Sequence, residues 1–143
     1  MILRIRAAVP EDTEALASLT GQLGYPIDAA AMARRLRDIA ATSSVLLVAE
    51  AANGNVAGYA HALLQCFTFA DPFVELAALV VDESVRGSGT GATLLRAVED
   101  WTRETGIATI YVRSGVRRER AHLFYLREGY REKLRQAMFV KHL

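Results

Sequence analysis

The stretch that most constrains this chain is Leu79–Leu95: an apolar run, then three glycines at alternate positions, then an apolar helical stripe. The run ending at Val81 reads as a buried strand. Gly87, Gly89 and Gly91 follow, with Arg86 ahead of them and Ser88 and Thr90 between them. Leu94, Leu95, Val98 and Trp101 then recur at the spacing of one helix face. A strand that feeds a glycine-rich turn and opens a helix can hold a phosphate. The first helical N–H groups lack intrahelical partners, and the aligned peptide dipoles put partial positive charge there. Glycines let the main chain approach an anion with no Cβ in the way. The same pattern also serves as a plain structural turn, and on this loop alone both readings stay open.

Two better-known loops fit poorly. A nucleoside-triphosphate loop needs a Lys and then a hydroxyl residue after its last glycine, whereas Ala92 and Thr93 follow Gly91. A dinucleotide fingerprint opens the first βα unit of its domain, with an acid closing a second strand about 20 residues later. Here the loop lies past the middle of the chain, and the strand predicted over 107–112 ends in Val112-Arg113.

The 143 residues suffice for one domain around one core, so a single domain over 1–143 is expected. A formal net charge of +1 supplies no field to recruit nucleic acid or a membrane surface. No apolar run approaches the ~20 residues of a membrane span, and Met1–Arg6 alternates like a strand rather than a signal peptide. The single Cys66 cannot form an internal disulfide, which fits a reducing cytoplasm. The scattered His and Cys residues offer no zinc spacing, so no metal is expected.

Ile2–Ala7 reads as the first strand. Pro10 suits a first helical turn, with Glu11 and Asp12 at the positive end of the dipole and Leu16, Leu19 and Leu23 as an apolar stripe. Gly24-Tyr25-Pro26 breaks that helix. Asp28 can cap the next, with Met32, Leu36 and Ile39 facing inward and Arg34, Arg35 and Arg37 on a solvated face. Val45–Ala49 and Val56–Leu64 are strands joined by an Asn53-Gly54 hairpin. Phe73–Val81 is the long apolar strand that feeds the glycine turn, and the loop before it, Phe67–Pro72, carries aromatics expected to be partly packed. A helix follows to Glu104, closed by Gly106. A strand over 107–112, a helix from about Arg118 to Glu128 closed by Gly129, and last strands at Tyr130–Arg131 and Gln136–Lys141 complete the chain. The order β-α-α-β-β-β-α-β-α-β-β implies an α/β fold with a mixed sheet and helices on both faces.

Within these elements a few residues could carry chemistry. Glu75 is the only charged side chain in its strand, so it is paired, at an exposed end, or functional. Tyr59 and His61 lie on one face of the neighbouring strand and could line a pocket. A lone His on a strand more often packs than reacts. Arg117, Arg118 and Arg120 crowd a helix start, where cations are unfavourable; they are either surface charge or contacts for an anionic ligand, which that conflict favours.

Arg86-x-x-Gly89-x-Gly91 after a strand resembles the acyl-CoA pyrophosphate loop of the GCN5-related N-acetyltransferases (GNAT). About 30 residues later, Ala121-His122-Leu123-Phe124-Tyr125-Leu126-Arg127-Glu128-Gly129-Tyr130 resembles that family's Ala-x-x-Phe-Tyr-x-x-x-Gly-Phe/Tyr helix and turn. Both motifs in order, together with the element order, extend the resemblance over nearly the whole chain. It implies a GNAT-like acyl-CoA N-acyltransferase fold and transfer of an acetyl group from acetyl-CoA to an amine, with no metal.

The resemblance further implies that main-chain N–H groups of Arg86, Gly87, Ser88, Gly89, Thr90 and Gly91 hold the pyrophosphate. Leu79, Val80 and Val81 would meet the pantetheine arm and steady the oxyanion. That arm would lie where the strands around Val81 and Val112 splay apart, beside Phe124. Tyr125 matches the family's general acid, and a phenol with its usual pKa near 10 is ready to donate. Glu75 matches a glutamate that many members use as base. Arg118 stands where the family often has Asn, so it either meets a phosphate or the contact is lost. Tyr25, Tyr59 and His61 would contact the acceptor, a small-molecule or peptide amine that the sequence does not identify. The last strands could pair across a homodimer. The alternative is a catalytically weak or inactive acyl-CoA-binding regulatory module.

Overall fold

The computed structural model describes residues 2–143, in two compact units, one ending at Val112 and the other running over Arg113–Leu143. In the first unit, strands β1 (Leu3–Ala7), β2 (Ser44–Ala51), β3 (Val56–Gln65), β4 (Phe73–Val81) and β5 (Ile110–Val112) form one sheet in sequence order. The first three pairings are antiparallel and β4 pairs with β5 in parallel. The sheet is therefore mixed, as the element order implies. Helices α1 (Thr13–Leu23), α2 (Ala29–Ala40) and α3 (Thr90–Glu104) belong to the same unit.

Burial assigns the helices to opposite faces. Leu16, Leu19 and Met32 of α1 and α2 cluster with Val48, Tyr59 and Val80 of the sheet. Gly58, next to Tyr59, must face the other way. A Cβ there would meet Leu94 Cδ1 of α3 at 3.3 Å and the Val80 carbonyl oxygen at 2.7 Å. Only glycine permits that approach of β3, β4 and α3. Leu94, Leu95 and Val98 are fully buried on that side.

Local signals set the ends of these elements. The Asp28 carboxylate accepts from the Ala31 N–H at 2.7 Å and starts α2. Gly24 and Gly106 take left-handed conformations just past α1 and α3. One 3₁₀ turn, Pro10–Asp12, precedes α1. Asp12 is buried there, and the Arg6 guanidinium donates to its two carboxylate oxygens at 2.8 and 3.0 Å while also pairing with Glu50. In the loop before β4, Phe67 stacks its ring near Phe69 and Phe73, with centroids 5.4 and 5.2 Å away.

In the second unit, α4 (Glu119–Arg127) ends at Gly129, with φ of 93°. The Tyr130 N–H closes this turn on the Tyr125 carbonyl at 2.9 Å. The strands expected at Tyr130–Arg131 and Gln136–Lys141 are not formed: residues 130–143 have no regular secondary structure. The apolar run Ala137–Val140 proposes a strand, but a strand exists only in a ladder, and this segment forms none. Met138 and Phe139 are about nine-tenths exposed as a result (90% and 92%).

Candidate active site

β4 is the strand on which the site is built. Its ladder with β5 covers only Val74, Leu76 and the Glu75 between them. β4 continues to Val81, paired there with β3. Between the two stretches Ala77 is bulged, because His61 pairs with Ala78 and Ala62 with Leu76. The Asp82 N–H donates to the Ala57 carbonyl at 2.8 Å, so Asp82 faces β3. By the alternation of an antiparallel ladder, Val80 also faces β3, and Leu79 and Val81 present their N–H and C=O groups on the opposite side. That side is where β5 has stopped pairing. Val80, named from sequence beside them, keeps its side chain buried and its main chain turned to β3.

The turn after β4 is held from several directions. The Ser84 hydroxyl and N–H both bond the Asp82 carboxylate, at 2.7 and 2.9 Å, and hold it below the usual carboxylate range. The Glu83 N–H donates to Gln22 Oε1 of α1 at 2.9 Å. The Arg86 Nε–H donates to the Val81 carbonyl at 3.3 Å, which keeps its charge beside the strand end. Gly87 and Gly89 take φ of 83° and 87°, with open space where a Cβ would stand. α3 starts at Thr90, with Gly89 as its N-cap residue and no side chain bonded to the first amides. Ser88 and Thr90 share a hydroxyl–hydroxyl bond of 2.8 Å, and Thr90 is buried. Gly91 lies within the first turn of the helix. The free N–H groups, the dipole and the Arg86 cation give this helix start the features that favour an anion.

On the sheet face under α1 and α2, register brings the polar candidates together. Tyr59 pairs with Val80, His61 with Ala78 and Leu63 with Glu75, so Tyr59, His61 and Glu75 share that face. Gln65 Nε2 donates to Glu75 Oε1 at 3.0 Å. Tyr59 and His61 line a cavity of about 260 Å³ together with aliphatic side chains of α1, α2, β2 and β4. The Tyr59 hydroxyl lies 2.8 Å from Thr20 Oγ1, and burial pushes its phenol up. His61 Nε2 is buried with no hydrogen-bond partner, and burial holds its imidazole below the usual range, in the neutral form. Tyr25 is 65% exposed in the α1–α2 connection and does not line the cavity.

The second unit carries the remaining candidates. Tyr125 is half-buried in α4, with the Phe124 and Tyr130 rings at 5.2 and 5.8 Å. Burial pushes its phenol up to about 12, partly offset by the Arg118 charge. It keeps its proton at neutral pH. Arg118 is the N-cap residue of α4, exposed, with no capping bond from its side chain.

Three residues escape sequence reasoning. Arg35 is exposed, as expected of that face, yet it also lines the cavity, and its charge partly offsets the upward push of burial on the Tyr59 phenol. The signal was present: Arg35 is three residues after Met32 and four before Ile39, on the apolar stripe itself. Thr20, the partner of Tyr59, could be found only from the packing of α1 on β3. Ser114, after β5, has a buried hydroxyl with no partner and nothing in the pattern to mark it.

Comparisons with known proteins show the family and the fold. A family model described as the acetyltransferase (GNAT) family matches residues 13–130. The chain is 32% identical over 140 residues to an aminoglycoside N(6′)-acetyltransferase type 1 of Stenotrophomonas maltophilia, covering 94% of this chain and 90% of that protein. It is 28% identical over 137 residues to an aminoalkylphosphonate N-acetyltransferase of Salmonella typhimurium, covering 92% and 86%. Among solved structures, an aminoglycoside N-acetyltransferase, AAC(6′)-Iy in complex with CoA, superposes with a TM-score of 0.87 at 21% identity, covering 99% of this chain and 96% of that one. An acetyltransferase of Trypanosoma brucei gives 0.82 at 24% identity, covering 98% and 100%. The two structures share the fold.

Proposed function

The chain belongs to the acetyltransferase (GNAT) family, and from that premise we propose how its residues transfer an acetyl group from acetyl-CoA to a primary amine. The observation that carries this reading is the end of the β4–β5 ladder at Leu76, followed by the left-handed glycines at the start of α3. An extended, amide-bearing arm fits beside a strand that still offers the main chain of Leu79 and Val81. A diphosphate fits the amides from Gly87 to Gly91, with Arg86 beside it, because no Cβ intrudes and the dipole favours negative charge. Acetyl-CoA supplies the thioester whose acetyl group moves to the amine.

In our reading the chain provides the proton transfers and the orientation. Glu75, steadied by Gln65, receives the proton the amine loses, directly or through water. N–H groups near Leu79 and Val81 donate to the carbonyl oxygen as it gains charge. Tyr125, kept protonated by burial, gives its proton to the departing sulfur. Arg118 and Phe124 contact the cofactor, and Tyr25, Tyr59 and His61 contact the acceptor. The acceptor is a small-molecule amine, the class on which the named relatives act, or a peptide amine. Residues 1–143 act as one domain, a reading supported by a family match that runs through both units. No helix among the described residues is long and apolar enough to cross a membrane. The exposed, unpaired Cys66 thiol supports a cytoplasmic location, and the exposed apolar residues near the C-terminus support a homodimer.

The test combines calorimetry with coenzyme A and thiol release from acetyl-CoA over an amine panel. Gly89→Val disfavours the left-handed backbone by roughly 1–2 kcal/mol, so the free turn should relax out of it, and re-forming the turn around coenzyme A should weaken binding about tenfold. Binding unaffected by Gly89→Val, or an absence of thiol release with every amine, would discard the reading.

A further inference from the structure

The cavity under α1 and α2 has a chemical character that the general reaction does not dictate. At about 260 Å³ it is slightly smaller than typical ligand pockets, which run from ~300 to ~1,000 Å³. Six of its ten lining residues are aliphatic or methionine. Of the other four, Thr20 and Tyr59 bond each other. That leaves two polar groups for a ligand, His61 Nε2 and the Arg35 guanidinium.

Arg35 is the only permanently charged residue among those that line the cavity, and no carboxylate lines it. A polycation entering this space would meet a like charge and find no counter-ion, at a cost. An anion would meet a forked, always-charged donor suited to carboxylate and phosphate oxygens. His61 Nε2 needs a partner, since a buried polar atom left unbonded is costly. With its proton on Nδ1, the neutral imidazole offers Nε2 as an acceptor to an amine N–H. Position supports the same division. His61 pairs with Ala78, which follows the bulged Ala77 and directly precedes Leu79. Arg35 comes from α2, a different element, so the two polar groups are separate anchors.

We propose that this cavity seats the acceptor, and that the acceptor is a small amine carrying one anionic group, carboxylate or phosphonate, on a short apolar skeleton. Arg35 holds the anion, His61 faces the amine, and the aliphatic walls exclude bulky polycations. The inference rests on the acetyl-transfer reading above and narrows its substrate.

The test compares kcat/KM for four amines of similar length: δ-aminovalerate, aminobutylphosphonate, pentylamine and cadaverine. These present a carboxylate, a phosphonate, a neutral and a cationic tail. The native protein should favour one of the anionic tails over cadaverine by about tenfold or more, the scale of one charged hydrogen bond. The better of the two anions identifies the source. Arg35→Lys should keep the anionic tail first, and Arg35→Glu should reverse the ratio of anionic to cationic tail, mainly through KM. A loss of fold lowers all four rates and cannot reverse a ratio. Cadaverine or pentylamine ranked first by the native protein, or a ratio unmoved by Arg35→Glu, would overturn the assignment and leave acetyl transfer standing. Absence of turnover with all four amines, together with no thiol release on a wider panel, would overturn both.

Discussion

The Tyr59 hydroxyl lies 2.8 Å from Thr20 Oγ1, and the Thr20 hydroxyl donates in turn to the Leu16 carbonyl at 2.7 Å. The Thr20 proton is thereby used within α1, so Tyr59 is the donor across the gap between β3 and α1. Thr20→Val leaves a buried phenol without its acceptor and should cost about 1–3 kcal/mol, whereas Tyr59→Phe should cost about 1 kcal/mol. The double variant should lose less than the sum. Urea denaturation of the four proteins checks this, and strictly additive losses would show that the two hydroxyls do not act as a pair.

The Arg6–Asp12 pair should make stability depend on acid. The Arg6 hydrogen bond is the largest cause that holds the Asp12 carboxyl below its usual value, with a smaller contribution from the Val9 N–H. A folded-state pKa below the unfolded value of about 3.9 means that the contribution is complete above that pH. It is lost as pH falls through the folded value. Asp12→Ala removes both of its hydrogen bonds from Arg6 and leaves that guanidinium paired with Glu50 alone, and should cost about 1–3 kcal/mol near neutrality. Melting temperatures taken between about pH 7 and pH 2 should fall in the native protein and much less in the variant. Parallel curves would remove this cluster from the acid response.

Tyr125→Phe should lower kcat by about 10²-fold or more while the affinity for coenzyme A changes little, as expected for loss of a general acid. Because burial pushes the phenol up to about 12, the native enzyme should lose no activity to Tyr125 ionisation below about pH 10. Turnover by Tyr125→Phe equal to that of the native protein would take Tyr125 out of the reaction.

Leu134, Met138, Phe139 and Val140 are exposed in a segment with no regular structure. Apolar residues in a strand-like pattern with no ladder are a template for pairing with another chain. Light scattering should find a dimer for the full chain and a monomer for a chain ending at Arg135. A monomeric full chain, or a dimer that survives the truncation, would show that this segment does not join two copies.

Much of this molecule is readable along the chain because the causes are local. Helix periodicity, the Asp28 cap and the left-handed glycines act over a few residues, so sequence alone places α1 to α4 and the glycine turn. Alternation likewise puts Tyr59 and His61 on one face. Arg35, exposed as its charge implies, also falls beside the apolar stripe by arithmetic. The two motifs that resemble the family sit within single turns and helices, and for that reason they survive in sequence.

Tertiary structure decided whatever depends on register or on a partner far along the chain. The bulge at Ala77 determines that Glu75 shares a face with His61, and it follows from how β3 and β4 align. The burial of Asp12 depends on Arg6 and Glu50, and the tie from Tyr59 depends on Thr20, 39 residues away. The apolar run Ala137–Val140 reads like a strand and forms none, since hydrogen-bonded pairing, unlike helix formation, needs a second segment that sequence pattern cannot supply.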